Sequence, residues 1–115
     1  MLVTPEYNNG IPGGFKNAID GGSRTSKEHP TVLADKPVAI MGASPSGFGT
    51  ISAQAHWLPV PRTLGMSHWV GERFKVSRAG SVLRDQTLND AALTLQLTGS
   101  VQGFAQFPKI LKAPT

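Results

Sequence analysis

Ser44 is the first residue to test as a nucleophile. It stands in Gly42-Ala43-Ser44-Pro45-Ser46, which begins like the sharp turn that presents a hydrolase serine but lacks the closing glycine. The residue after such a serine must donate its N–H to the oxyanion, and Pro45 has none. No acid–histidine pair stands out to complete a triad, so acyl transfer from Ser44 is set aside. The same segment brushes against a phosphate loop, since Gly42 and Gly47 have G-x-x-x-x-G spacing. Phe48, however, occupies the position of the phosphate-binding lysine. Gly47-x-Gly49 followed by Ser52 is a dinucleotide fingerprint without its third glycine. What remains is a loop, residues 44–49, carrying two glycines. A glycine has no Cβ, so its N–H can reach a ring carbonyl or ring nitrogen of a flat ligand. An ordinary strand-to-helix connection would read the same way.

His29, His56 and His68 lie on unrelated segments with no metal-ligand spacing. His56-Trp57 reads as helix surface followed by core. A second candidate site loop, Thr4-Pro5-Glu6-Tyr7-Asn8, brings a carboxylate, an aromatic ring and an amide together. Tyr7 can cover a planar ring, Asn8 can pair with a ring amide, and Pro5 stiffens the turn. Glu6 is the acid of this loop, and a lone glutamate in a turn is normally solvated.

These loops must be positioned by regular elements. Residues 1–4 read as the end of a strand, with Pro5 biasing Thr4 towards an extended conformation. Asn9-Gly10 signals a turn and Pro12 can open a helix. That helix is expected over about 13–20, with Phe15, Ala18 and Ile19 on one face and Gly21-Gly22 ending it. Residues 23–35 are polar and loop-like. Pro37 to Ala43 is a continuous apolar run, as in a strand buried on both faces of a parallel sheet. A helix should start near Thr50, with Ile51, Ala55 and Leu58 on its apolar face, and be stopped or kinked by Pro59 and Pro61. Val70 to Ser77 reads as a strand and 79–86 as irregular. Thr87 is placed to cap a final helix, with Asp90 at the capping-box position and Gly99 and Gly103 weakening its interior. Strand and helix alternate throughout, which implies an α/β domain with a parallel sheet. Both candidate loops follow strands, so they should meet at the carboxyl edge of that sheet.

Composition narrows the partners. The chain has 115 residues, room for one domain, with 39% apolar and 16% charged residues. It has no cysteine, which excludes a disulfide framework and a thiolate nucleophile and fits the cytoplasm. No apolar run is long enough to cross a membrane, and no secretory signal is visible at Met1 to Glu6. Eleven Lys and Arg against seven Asp and Glu leave a net charge of +4. These cations are scattered, unlike the stripe of a nucleic-acid binder, so no nucleic-acid partner is expected. A mild positive field would suit a phosphate-bearing cofactor, and an ordinary solvated surface would look alike.

The Thr4-to-Asn8 segment resembles the flavin loop of the NADPH-dependent FMN reductase family, which includes chromate and quinone reductases. The resemblance runs on through Pro12-Gly13-Gly14-Phe15-Lys16-Asn17-Ala18-Ile19-Asp20 and Lys36-Pro37-Val38-Ala39-Ile40-Met41-Gly42-Ala43-Ser44. It continues in Gly47-Phe48-Gly49-Thr50 and Gln54-Ala55-His56, and it is clear over residues 3–58. It implies a flavodoxin-like fold with helices on both faces of the sheet, and bound FMN. It also implies hydride transfer from NADPH or NADH to the flavin, and on to a quinone, metal oxyanion, azo compound or free flavin. By matching position, Pro5, Glu6, Tyr7 and Asn8 line the isoalloxazine. Ser44 and Gly47 approach its pyrimidine side, with Gly49 in the same cofactor-binding loop. No side chain need act as acid or base, and no metal is called for. The family also suggests a cytoplasmic homo-oligomer, a dimer or tetramer, that takes a small-molecule electron acceptor.

Some features depart from the family. The N-terminal strands and the Gly-Ser-Arg phosphate loop have no counterpart here, Pro59 and Pro61 interrupt a helix that normally continues, and Trp57 stands where a basic residue is common. Residues 1–115 therefore read as a single, N-terminally truncated domain of this type. The alternative is an inactive remnant or subunit fragment that binds a partner chain.

Overall fold

The computed structural model describes residues 1–24 and 32–112. Part of the expected polar loop at 23–35, with His29, lies outside them. The elements in chain order begin with β1 (Leu2–Val3), α1 (Gly13–Gly22), β2 (Pro37–Val38) and β3 (Ile40–Ala43). Next come α2 (Ile51–Trp57), α3 (Pro59–Thr63), β4 (Ser67–His68) and β5 (Lys75–Val76). The chain then forms α4 (Ala79–Val82), β6 (Leu83–Arg84), β7 (Thr87–Leu88) and α5 (Ala91–Leu111).

The alternation produces the expected α/β architecture. β1, β3 and β5 form a parallel sheet in the order β1-β3-β5, and β2 pairs with β4, also in parallel. Only Ala39 separates β2 from β3, and its carbonyl accepts from Leu2 N at 2.7 Å. Residues 37–43 are thus one extended path at the centre of the sheet. Val38, Ala39, Ile40 and Met41 on it are all buried, as a continuously apolar strand requires.

The neighbouring strand differs from expectation. It pairs with this path in two pieces: Trp69 N donates to Val38 O at 2.8 Å, and Ser44 N donates to Val76 O at 2.9 Å. Residues 70–73 leave the ladder, and Val70 is exposed. The chain curls there against Trp69, since a Cβ on Gly71 would lie 2.7 Å from the indole. The period-two pattern at Arg73 to Val76 therefore marked only the second piece.

Helix α2 also turns a different face inward. Ala53, Gln54 and Trp57 are buried, while Ile51 and Leu58 are exposed. Gln54 can be buried because its amide is satisfied: Nε2 donates to Thr50 Oγ1 at 2.9 Å and to Phe74 O at 3.0 Å. Trp57, fully buried, meets Phe15 of α1 edge-on with ring centroids 4.9 Å apart. Helix α1 runs two residues past the expected end, to Gly22, and Ala18 is exposed. Helix α2 ends at Trp57, as the prolines required, and Pro59 opens α3, because the first turn of a helix needs no N–H there.

At the C-terminal end Thr87 lies in the β6–β7 hairpin, so it is not the cap. Asp90 is, its Oδ1 accepting from Leu93 N at 2.8 Å. The expected irregular stretch 79–86 contains α4 and β6. Helix α5 continues through Gly99, Gly103 and Pro108. A Cβ on Gly103 would lie 2.8 Å from Trp69 Cζ2, so the missing side chain is what lets this indole settle beside Phe104, at a centroid distance of 6.0 Å. Met41, Phe74, Val76 and Ala79 form the core, with Val82, Leu93 and Leu97 packed against it.

Candidate functional site

The end of β1 is fixed by buried bonds. Thr4 N donates to Met41 O at 2.8 Å, and Trp57 Nε1 donates to Thr4 Oγ1 at 3.1 Å. Beyond it the chain makes a tight turn, with Gly10 N donating to Tyr7 O at 2.9 Å and Tyr7 N to Gly10 O at 3.2 Å. The central residues are Asn8 and Asn9, both left-handed at φ 50° and 60°. Asparagine tolerates that region better than other residues with side chains. The turn is thus one residue earlier than the Asn9-Gly10 signal suggested. Pro5, Tyr7 and Asn8 are all exposed on it.

Glu6 is not solvated in the ordinary way. Its Oε2 accepts from Ala53 N at 2.8 Å, in the first turn of α2. Thr50, the residue preceding that helix, provides no side-chain cap, so a carboxylate 47 positions away satisfies an orphan donor. This bond fastens the 4–10 loop to the segment that follows loop 44–49. Gly42 brings the two still closer, because a Cβ there would overlap the Thr4 carbonyl oxygen and the Thr50 side chain. The structure therefore brings both candidate loops to one edge of the sheet.

Within loop 44–49 the residues have different reasons to be what they are. Ser44 is buried, and its hydroxyl donates to Ser46 Oγ at 3.1 Å and accepts from Ser46 N at 3.2 Å. Gly49 has φ +63°, which strains any residue with a Cβ. Its glycine is explained by the backbone. Gly47 is exposed and outside the left-handed region, and a Cβ built on it would meet only Arg78 Nη2, at 3.7 Å. Neither strain nor packing requires glycine there. Among the described residues, no protein acceptor takes a hydrogen bond from the N–H of Gly47 or Phe48. A bare backbone edge with an exposed aromatic ring at Phe48 suits a flat ligand with carbonyl and ring-nitrogen acceptors.

A third segment is bonded to loop 44–49. Arg78 follows β5 in a left-handed conformation at φ 48°. Its N–H donates to Ser46 O at 2.8 Å, and Ala79 N donates to Ser44 O at 3.0 Å. No sequence signal singled out Arg78, which lies just past the expected strand Val70 to Ser77.

A separate cavity of about 180 Å³ is lined by Ile40, Gln54, Leu58, His68, Trp69 and Arg73 among others. None of its residues belongs to the candidate loops. Burial lowers the pKa of His68 there, while Arg73 is tied to Ile51 O at 2.9 Å. His56 is exposed near the Asn9-Gly10 turn, with Nδ1 4.0 Å from where a Gly10 Cβ would stand.

A profile of the NADPH-dependent FMN reductase family matches residues 1–80. An NAD(P)H-dependent FMN reductase of Pseudomonas aeruginosa is 50% identical over 56 residues, which are 49% of this chain and 29% of that protein. A 2-hydroxy-1,4-benzoquinone reductase of a Burkholderia species is 46% identical over 56 residues, 49% of this chain and 30% of its own length. The solved structure of a flavoenzyme NAD(P)H:(acceptor) oxidoreductase from Paracoccus denitrificans superposes with a TM-score of 0.73 at 31% identity. That superposition covers 89% of this chain and 56% of that one. The matched segment thus spans under a third of these two curated relatives.

Proposed function

This chain belongs to the NADPH-dependent FMN reductase family, and from that premise we propose that it holds the isoalloxazine ring of FMN against loops 4–10 and 44–49. The observation that carries this reading is Gly47, bare for no reason internal to the fold, on a loop that runs into α2, the helix bonded to Glu6. Pro5, Tyr7 and Asn8 line one side of the ring, and the Gly47 and Phe48 N–H groups meet its pyrimidine edge. Glu6, Ser44 and Gly49 act at one remove by holding those loops in shape.

Bound FMN supplies the hydride chemistry, from NADPH or NADH to a small acceptor; the chain's own part is to place the ring and leave one face open. A quinone is the acceptor class best supported by the relatives, with metal oxyanions, azo compounds and free flavin as further candidates. The proposal includes a cytoplasmic dimer or tetramer with no nucleic-acid partner. No helix among the described residues is long and apolar enough to cross a membrane.

Titration of the full chain with FMN, followed by flavin fluorescence, tests the reading. Saturable one-to-one binding is expected, together with NADPH-dependent quinone reduction. No binding up to millimolar FMN would overturn it.

One observation favours a second reading, a subunit fragment that binds a partner chain without turnover. Among the described residues β1 is bonded only on its β3 side, and Val3 is 62% exposed. Strands of a parallel sheet are rarely left open this way. Light scattering combined with flavin retention separates the two: a fragment would bind a complementary chain and gain flavin only then.

A further inference from the structure

We propose that Arg78 sets the charge balance of this site, favouring the reduced over the oxidised flavin; this rests on the reading of residues 44–49 as the pyrimidine-side loop. Arg78 Nη2 lies 3.7 Å from the position a Gly47 Cβ would take. The guanidinium therefore lies beside the edge where the N1–C2=O group of the ring would be received.

The backbone of Arg78 is held from several directions. Its N–H is fixed to Ser46 O at 2.8 Å, and its carbonyl accepts from both Ser81 N and Ser81 Oγ at 2.8 Å. Its left-handed backbone costs on the order of 1 kcal/mol or more for a residue with a long side chain, and these bonds hold it in place. Among the described residues no carboxylate lies within 4.0 Å of the guanidinium; the ion pair there is Lys16–Asp20, in α1. The nearby acid, Glu6, is occupied with Ala53 N. The other cation of this edge, Lys75, has its Cβ 3.5 Å from the Gly49 Cβ position. Arg78 and Lys75 thus outnumber the one carboxylate named at this edge, Glu6.

Hydride transfer from the nicotinamide brings two electrons and one proton to the flavin and leaves an oxidised nicotinamide cation. The added negative charge lies over the N1–C2=O edge of the ring. Arg78 opposes that charge, so it strengthens binding of the reduced form more than that of the oxidised form. A single exposed cation of this kind is worth roughly tenfold in that preference, and less as salt is added.

Arg78→Asn is the variant of choice, because asparagine removes the charge while tolerating the left-handed backbone. Calorimetric titration with oxidised FMN and with FMN reduced anaerobically by dithionite gives the two dissociation constants. The expected result is a preference for the reduced form about tenfold smaller than in the wild type, a fall of about 30 mV for a two-electron couple. Arg78→Lys should restore it, and thermal melts of all three proteins should agree within a few degrees. If Arg78→Asn weakens both forms equally, the residue grips the phosphate or ribityl chain and the proposal is overturned; riboflavin in place of FMN tells which. An unchanged preference in a variant that binds FMN also overturns it. A wild-type chain that binds neither form removes the reading of the loop itself, and this proposal with it.

Discussion

Replacing Gly47 by valine separates ligand approach from folding. A Cβ at this position meets nothing closer than Arg78 Nη2 at 3.7 Å, an ordinary contact with the end of a flexible side chain. The backbone there is not left-handed. A surface substitution of this kind changes stability by about 0.5 kcal/mol or less, which is roughly 2–4 °C in melting temperature for a domain of this size. The effect on a bound ring is much larger. Forcing a branched side chain into a filled contact costs about 1–3 kcal/mol, or roughly 5- to 150-fold in affinity. Displacing the ring by about an ångström lowers a positioning-dependent rate by about 10²-fold. Flavin fluorescence titration, NADPH-dependent turnover and a thermal melt read the three quantities. Gly21→Val is the control, since a Cβ there has nothing within 4 Å. Wild-type flavin affinity and rate in Gly47→Val would refute the reasoning, as would a loss of stability large enough to explain the loss of binding.

Glu6→Ala removes the cap on Ala53 and the tie between the loops, so thermal melts should show a loss of about 1–2 kcal/mol, with weaker FMN binding alongside; Glu6→Gln, which keeps an acceptor oxygen, should lose less. Trp57→Phe leaves the buried Thr4 hydroxyl without its indole donor, which should cost about 1–3 kcal/mol in urea unfolding. Gly103→Ala gains about 1 kcal/mol in helix propensity, but its methyl displaces Trp69, so tryptophan emission should shift to the red. For His68 the folded pKa lies below the ordinary 6.5 because burial disfavours the charged ring. The unfolded chain then binds more protons just below 6.5, so stability is full above that pH and falls as pH drops through the folded pKa. His68→Gln should flatten that part of the melting-temperature profile.

Much of the fold was legible because its signals are local. The apolar run 37–43 announces a doubly buried strand, and alternation with helical stretches announces the parallel sheet. The misreadings arise where a distant group decides. Ile51 and Leu58 looked inward until buried Gln54, satisfied by Thr50 and Phe74, took the inner face of α2. Residues 70–73 looked like strand because nothing local reveals that Trp69 folds the chain against Gly71. The site divides the same way. Loops 4–10 and 44–49 could be found from residue type and position, yet the Glu6–Ala53 bond, which ties the first loop to the helix after the second, spans 47 positions. Ser81 looks remote from both loops, but it holds the carbonyl of Arg78, which is bonded to loop 44–49. No periodicity or spacing encodes such contacts; only the folded chain does.

The central claim is that loops 4–10 and 44–49 form one surface for the flavin ring. Titrating the ¹⁵N-labelled full chain with FMN and following its backbone amides tests this residue by residue. Shifts should be concentrated at Glu6, Tyr7, Asn8, Gly47, Phe48 and Gly49, moving together with a single dissociation constant. His68, Trp69 and Arg73, around the separate cavity, should change little. Shifts confined to that cavity, or loops that respond with different affinities, would contradict it.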